Sequence, residues 1–360
     1  MTEIPELRSA QRKGRGATSN KNGRFEALVR EATDDGWGLA DQPLAPLKTR
    51  VEIDASKTIV SHNDSPDIPF TSSINPYRGC EHGCVYCFAR PTHTYLGLSA
   101  GLDFESRLFY KPNAAEQLRT YLAKRGYQCD PITLGANTDP YQPIERKFRI
   151  TRSVLQVLHD TNHPLSIVTK NSLIERDLDL LGPMAEKGLA QVFISVTTLD
   201  AELARRMEPR TSSPQRRLKT IRNLSDAGVP INVLMAPIIA FLNDQEIETV
   251  LKAVRDAGAR NADYSMLRLP LEIEDLFTDW LSSHYPLKKE RILNRIRDVH
   301  GGKIYDSTYG VRQRGQGEFA RLTSQRFKLA SRRLGFTDVE ALDRSQFVPP
   351  SLDGQLELFS

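Results

Sequence analysis

From residue 73 onward the chain alternates short apolar runs with longer amphipathic stretches. The runs lie at 73–77, 132–136, 165–169, 192–196, 231–236 and 263–267, and their β-branched character suits strands buried on both faces of a sheet. Helical periodicity fills 113–125, 151–159, 174–187, 214–227 and 244–257, and Gly188, Gly228 and Gly258 stand just past three of these as C-terminal stops. Six repeated β-α units predict an α/β fold, a parallel sheet closed into a partial (β/α)6 barrel rather than a full eight-unit one. Chemistry in such a sheet gathers at the C-terminal ends of the strands.

The flanks read differently. Residues 1–65 are rich in Gly, Asn, Asp, Pro and charge, which predicts a flexible basic arm followed by short strands such as 57–61. The core is expected over 66–300, a C-terminal loop and helix over 301–342, and a flexible tail over 343–360. With 360 residues and 39% hydrophobic content the chain can bury a large core. No apolar run approaches the ~20 residues that span a bilayer, and charge occupies the place of a signal peptide's apolar centre. Neither membrane nor export is therefore expected. The net charge of +4 suits a nucleic-acid partner without requiring one.

Cysteine usage changes the picture. Of four cysteines, Cys80, Cys84 and Cys87 form C-x3-C-x2-C directly after the first barrel strand, and only Cys129 lies elsewhere. That is a poor disulfide framework and fits a reducing, cytoplasmic setting with thiols kept for metal or redox work. A zinc site needs a fourth ligand, which His82 or a remote group would have to supply. An iron–sulfur cubane held by three thiolates leaves one iron without a protein partner, open for chemistry. Three unligated buried cysteines are the bland alternative, but the loop between them is polar and glycine-bearing.

This spacing, the position after the first strand, and Tyr86 just before the last cysteine together resemble the radical S-adenosylmethionine (SAM) superfamily. The resemblance implies a [4Fe-4S] cluster on Cys80, Cys84 and Cys87, with SAM chelating the fourth iron, and an electron donor protein that drives cleavage of SAM to a 5′-deoxyadenosyl radical. Further stretches resemble the spore photoproduct lyase-like branch over roughly residues 73–270. On that resemblance, Thr138 and Asp139 would meet the SAM amino group, Lys170 the carboxylate and Ser195 the ribose, with Ala236 and Tyr86 beside the cofactor. A repair-like action on DNA or nucleotides follows from the same branch. A peptide or small-metabolite substrate, or a zinc-stabilised nucleic-acid-binding module without catalysis, are the alternatives.

Departures from the branch limit this reading. The lyase has a cysteine as hydrogen-atom donor where this chain has Ala136, and a tyrosine where this chain has Phe88, so reversal of the spore photoproduct itself is not expected. Cys129 precedes the second barrel strand and is expected at the opposite end of the barrel. Glu208, Arg210, Arg216, Arg217 and Arg268 are expected near the rim, where the arginines are available to hold phosphates or the SAM carboxylate, or Ser213 simply caps a helix beginning at Pro214. The segment 305–322, rich in Gly and Arg with two tyrosines, could track a nucleic-acid backbone. The tail ends in Gln355, Leu356, Glu357, Leu358 and Phe359, which resembles the QL(S/D)LF peptide that docks on the bacterial sliding clamp.

Overall fold

The computed structural model describes residues 14–26 and 47–351. Its strands are β1 (Arg50–Ile53), β2 (Val60–His62), β3 (Ser72–Ile74), β4 (Tyr77–Arg78), β5 (Arg107–Tyr110), β6 (Ile132–Leu134), β7 (Leu165–Thr169), β8 (Ala190–Ser195), β9 (Ile231–Ile238) and β10 (Asn261–Met266). The α-helices are α1 (Leu102–Ser106), α2 (Ala114–Leu122), α3 (Glu145–Phe148), α4 (Ile150–Asp160), α5 (Leu178–Glu186), α6 (Ala201–Met207), α7 (Pro214–Asp226), α8 (Ile247–Asp256), α9 (Glu272–His284), α10 (Lys289–Val299) and α11 (Gly317–Arg333). The main sheet runs β10-β9-β8-β7-β6-β3-β2, with β3 and β6 to β10 parallel and in chain order, and β2 antiparallel on the outer edge of β3. This is the expected partial (β/α)6 barrel.

Local chemistry sets the strand ends. β3 stops at Ile74 because the Asn75 side chain turns to accept the N–H groups of Asn137 and Thr138, and Pro76 has no N–H to extend the ladder. The predicted helix over 174–187 begins instead as a 3-10 turn, Ser172–Asp177, where the Asn171 side chain accepts from Leu173 N. Ile74, Leu134, Ile167, Val192, Val233 and Met235 from the sheet pack with Leu118, Val154, Leu181, Ile221 and Val250 from the helices in one continuous core.

Three features lay outside the sequence reading. A small sheet, β1-β5-β4, flanks the cysteine loop. Helices α9 and α10 join Val85, Tyr86, Leu203, Met207 and Leu267 in a second apolar cluster, centred on the fully buried Trp280 and Phe277, which covers the C-terminal ends of the strands. The gap between the two edges of the barrel is bridged by the chain before α11. Gln313 O accepts from Met266 N on β10 at 2.7 Å, while Arg312 Nε meets Asp67 Oδ2, ahead of β3, at 2.6 Å.

Both flanks are more ordered than their composition suggests. Beyond α11, Thr337 N, Asp343 N and Val348 N donate to Arg260 O, Gly188 O and Thr161 O at 3.0, 3.0 and 2.9 Å, tying the chain beneath the barrel. Phe347 packs between the rings of Tyr127 and His163. The expected flexible linker from Asp343 is thus bound as far as Val348, because its backbone groups and one aromatic side chain find partners. The residues of the clamp-like peptide, 355–359, lie outside the described residues.

Part of the expected arm is likewise docked. Gly16 N and Ala17 N donate to the Glu105 carboxylate at 3.0 and 2.8 Å, Arg90 Nη2 reaches it at 2.5 Å, and Arg15 Nη1 donates to Glu105 O at 2.5 Å. A Cβ on Gly16 would stand 1.7 Å from Gly83 O, so only glycine lets this strap lie on the cysteine loop. Glu105 and Arg90 are both fully buried, so truncating one leaves the other as an uncompensated charge. Glu105→Ala is expected to destabilise the fold by about 3–5 kcal/mol, read as a lower urea midpoint. A shift worth under about 1 kcal/mol would show that the strap is not held through this carboxylate.

Candidate active site at the strand ends

The cysteine loop crosses the C-terminal ends of the strands without regular secondary structure, so side chains must satisfy its backbone. Gln142 Oε1 accepts from Glu81 N at 2.9 Å and Gln142 Nε2 donates to Gly79 O at 3.1 Å. Arg90 Nε donates to Cys84 O at 2.8 Å. Gly83 sits at φ 67°, in the left-handed region, and a Cβ there would meet the Glu105 carboxylate at 2.8 Å. Cys80 and Cys84 are buried and Cys87 is partly open.

His82 fastens the loop to two strands. Its Nδ1 lies 3.3 Å from Asp139 Oδ2, past the end of β6, and its Nε2 lies 3.1 Å from Asn171 Nδ2, past the end of β7. Asp139 also accepts from Tyr141 N at 2.9 Å, Thr169 Oγ1 at 2.7 Å and Lys170 N at 2.8 Å. Burial alone would raise its pKa, but His82, Lys170 N and Thr169 outweigh burial and hold the carboxyl below its ordinary value. A carboxylate has about four acceptor positions. Those of Asp139 are engaged by protein donors, which makes it a clamp on the loop rather than a group left free for an ammonium. Thr138 Oγ1 is also engaged, donating to Tyr77 O at 2.8 Å.

A second buried carboxylate organises the other side. Glu208 accepts from the Tyr86 hydroxyl, from Thr197 Oγ1 at 2.7 Å and from Arg217 Nη2. Burial opposes its ionisation, yet Arg217, Lys170, Tyr86 and Thr197 bring its pKa down to about 2. Arg217 is itself buried and donates to Ser212 O at 2.8 Å and Ser195 O at 3.0 Å, so it braces the end of β8 and offers nothing to a phosphate. Thr197 Oγ1 lies 3.5 Å from Ala236 O, which brings Tyr86, Ser195 and Ala236 to one side of the site. Lys170 faces Cys84, Glu208 and Asp139, and their charges keep its pKa raised although burial opposes it. No hydrogen bond or ion pair engages its ammonium among the described residues.

Burial pushes the Cys84 thiol up to about 12 against the pull of Lys170, and burial with Asp139 pushes Cys80 up as well. Thiolate ligation of a metal centre must displace these protons. The donor set suits a polynuclear centre. Three soft thiols share one polar loop, and both ring nitrogens of His82 are engaged elsewhere. Among the described residues, no three His, Cys, Asp or Glu side chains converge as ligands of a single ion. Cys129 stands apart, beside Asp130 and Arg344, at the opposite end of the barrel.

Residues 74–254 match the Radical SAM superfamily. The chain belongs to this superfamily. Radical SAM proteins are enzymes that use a [4Fe-4S] cluster and SAM, so the zinc-stabilised, non-catalytic alternative falls away. Among the similar proteins are an uncharacterized protein of Mycobacterium tuberculosis, 35% identical over 235 residues covering 65% of this chain and 68% of the relative, and one of Methanocaldococcus jannaschii, 27% identical over 222 residues covering 62% and 79%. The fold resembles spore photoproduct lyase complexed with dinucleoside spore photoproduct, with a TM-score of 0.55 at 17% identity over 79% of this chain and 80% of the lyase. A lyase variant with bound AdoMet and the same photoproduct gives 0.53 at 16% identity over 80% and 82%. That likeness is one of fold.

The rim arginines were visible in the sequence, but their partners were not. Arg210 pairs with Glu81 at 3.2 Å, Arg216 with Glu175 at 2.9 Å, and Ser213 caps α7 as the bland reading allowed. Arg312 and Arg314 of the glycine-rich segment are paired with Asp67 and Asp263. Glu208, placed at the rim by the sequence, emerges as an organising residue through its bonds to Tyr86, Thr197 and Arg217. Because its folded pKa is depressed, it contributes stability that is complete above its unfolded pKa of about 4.3 and is lost as pH falls toward 2. Glu208→Gln is expected to lose on the order of 3 kcal/mol at pH 7 and to flatten the stability profile between about pH 4.5 and 2. Parallel profiles for variant and wild type in acid urea titrations would refute this coupling.

Proposed function

We infer that this radical SAM enzyme acts on DNA or a nucleotide, in a repair-like role within the cytoplasm. The observation that carries the reading is the fold shared with a spore photoproduct lyase complexed with dinucleoside spore photoproduct, over about four fifths of both chains. The mildly basic charge supports it. Ala136 and the half-exposed Phe88, in place of the lyase's hydrogen-donating side chains, point to an outcome other than spore photoproduct reversal. A [4Fe-4S] cluster held by this loop would supply the electron for reductive cleavage of SAM.

The proposed ligands are Cys80, Cys84 and Cys87. Lys170 is assigned to the SAM carboxylate because its ammonium is desolvated, lies beside Cys84 and is engaged by no hydrogen bond or ion pair among the described residues. Tyr86, Ser195 and Ala236 would line the nucleoside side of SAM, while Thr138 and Asp139 act by holding the loop and β7 in place. The second apolar cluster shields the same region from water.

Cys80→Ala, Cys84→Ala and Cys87→Ala should each abolish the cluster's visible absorption after anaerobic reconstitution, whereas Cys129→Ala should retain it. Equal iron loss in Cys129→Ala would remove the ligand assignment. Lys170→Ala should keep the cluster but weaken SAM binding by roughly ten-fold or more in equilibrium dialysis. The substrate reading is tested by deuterium transfer between labelled 5′-deoxyadenosine and oligonucleotide. Transfer to peptides or small metabolites, and none to oligonucleotides, would overturn it. We also propose that Gln355, Leu356, Leu358 and Phe359 dock on the sliding clamp; a 354–360 peptide giving no binding heat with purified clamp would refute this.

A further inference from the structure

The cations around the barrel mouth fall into two classes. Arg210, Arg216, Arg217 and Arg312 each have a carboxylate partner, namely Glu81, Glu175, Glu208 and Asp67. Arg268, just past the end of β10, does not. Its guanidinium lies over the ring of Phe88 with Cζ 4.9 Å from the centroid, and among the described residues no hydrogen bond or ion pair engages it. It is half-buried, near Tyr305, Asp67 and Cys87, and burial lowers its pKa from the ordinary value. A guanidinium carries five donors, and one withdrawn from water without an acceptor is costly unless an anion completes it.

Two unpaired cations therefore flank the cysteine trio, Lys170 by Cys84 and Arg268 by Cys87. SAM has one carboxylate, which Lys170 can take, so the second cation is left for a different anion. The contact with the Phe88 ring takes up none of the guanidinium's five hydrogen-bond donors. The bridging segment that carries Arg312 closes the side of the barrel next to Arg268, which leaves the mouth as the route of approach.

We propose that Arg268 anchors a substrate phosphodiester at the barrel mouth beside Cys87. This rests on the nucleotide reading above and names the residue that recognises the substrate's backbone. Its plane and donors suit bidentate contact with two phosphate oxygens, and the contact positions the nucleotide without selecting its base.

The test is a fluorescence anisotropy titration of the reconstituted full-length enzyme with a short single-stranded oligonucleotide over a range of salt. Arg268→Gln should weaken binding roughly ten-fold and lower the slope of log K against log salt by about 0.7, the signature of one lost phosphate contact. Arg268→Lys should preserve the slope, and Arg216→Gln, already paired with Glu175, should bind as wild type. If Arg268→Gln does not fold, scanning single methylphosphonate linkages along the oligonucleotide with wild-type enzyme reads the same contact from the other side. One neutral linkage should then cost about as much as the arginine. Wild-type affinity or an unchanged slope in Arg268→Gln, or indifference to every neutral linkage, overturns the anchor while leaving a nucleotide substrate in place. A wild-type enzyme that binds no oligonucleotide overturns both.

Discussion

The buried carboxylate of Asp139 is the constraint on which the site depends. The cysteine loop has no ladder of its own, and it lies over strand ends that supply few free backbone partners. Asp139 gathers His82 of the loop, Thr169 and Lys170 N of β7 and beyond, and Tyr141 N, so one side chain sets the distance between loop and sheet. Gln142, three residues on, binds the same loop at Gly79 and Glu81. Because these contacts are desolvated, each is stronger than at a surface, and an unpaired partner would be correspondingly expensive.

Two further acids complete the cage. Glu105 ties the docked strap at Gly16 and Ala17 to Arg90, which holds Cys84 O, and Glu208 ties Tyr86 to Arg217 and the end of β8. Each acid is matched inside the protein, as buried charge requires. Among the described residues, no hydrogen bond or ion pair engages two of the neighbouring cations, Lys170 and Arg268.

The architecture also controls access. Six parallel strands leave a barrel open along one side, and that side is bridged by hydrogen bonds from Gln313 and Arg312 rather than by another strand. Trp280 and Phe277 of α9 and Ile292 and Ile296 of α10 join Val85 and Tyr86 in one apolar cluster over the strand ends. Both additions lie C-terminal to the sixth strand.

Periodicity and cysteine spacing alone determined the six β-α units, their order and the loop on which the thiols sit, because those signals are local: strand and helix periods, glycine stops, and three cysteines within eight residues. The opposite placement of Cys129 followed from topology. What only the tertiary structure decided is which charges are already used. Arg217 and Arg268 look alike in the chain, yet one is sealed against Glu208, nine residues away, while the other lies over the face of Phe88, far away in sequence. Docking of residues 14–18 and 343–348 was likewise hidden, because polar, glycine- and proline-bearing segments carry no periodic signal. Their order comes from partners such as Glu105 and His163, which long-range packing brings near.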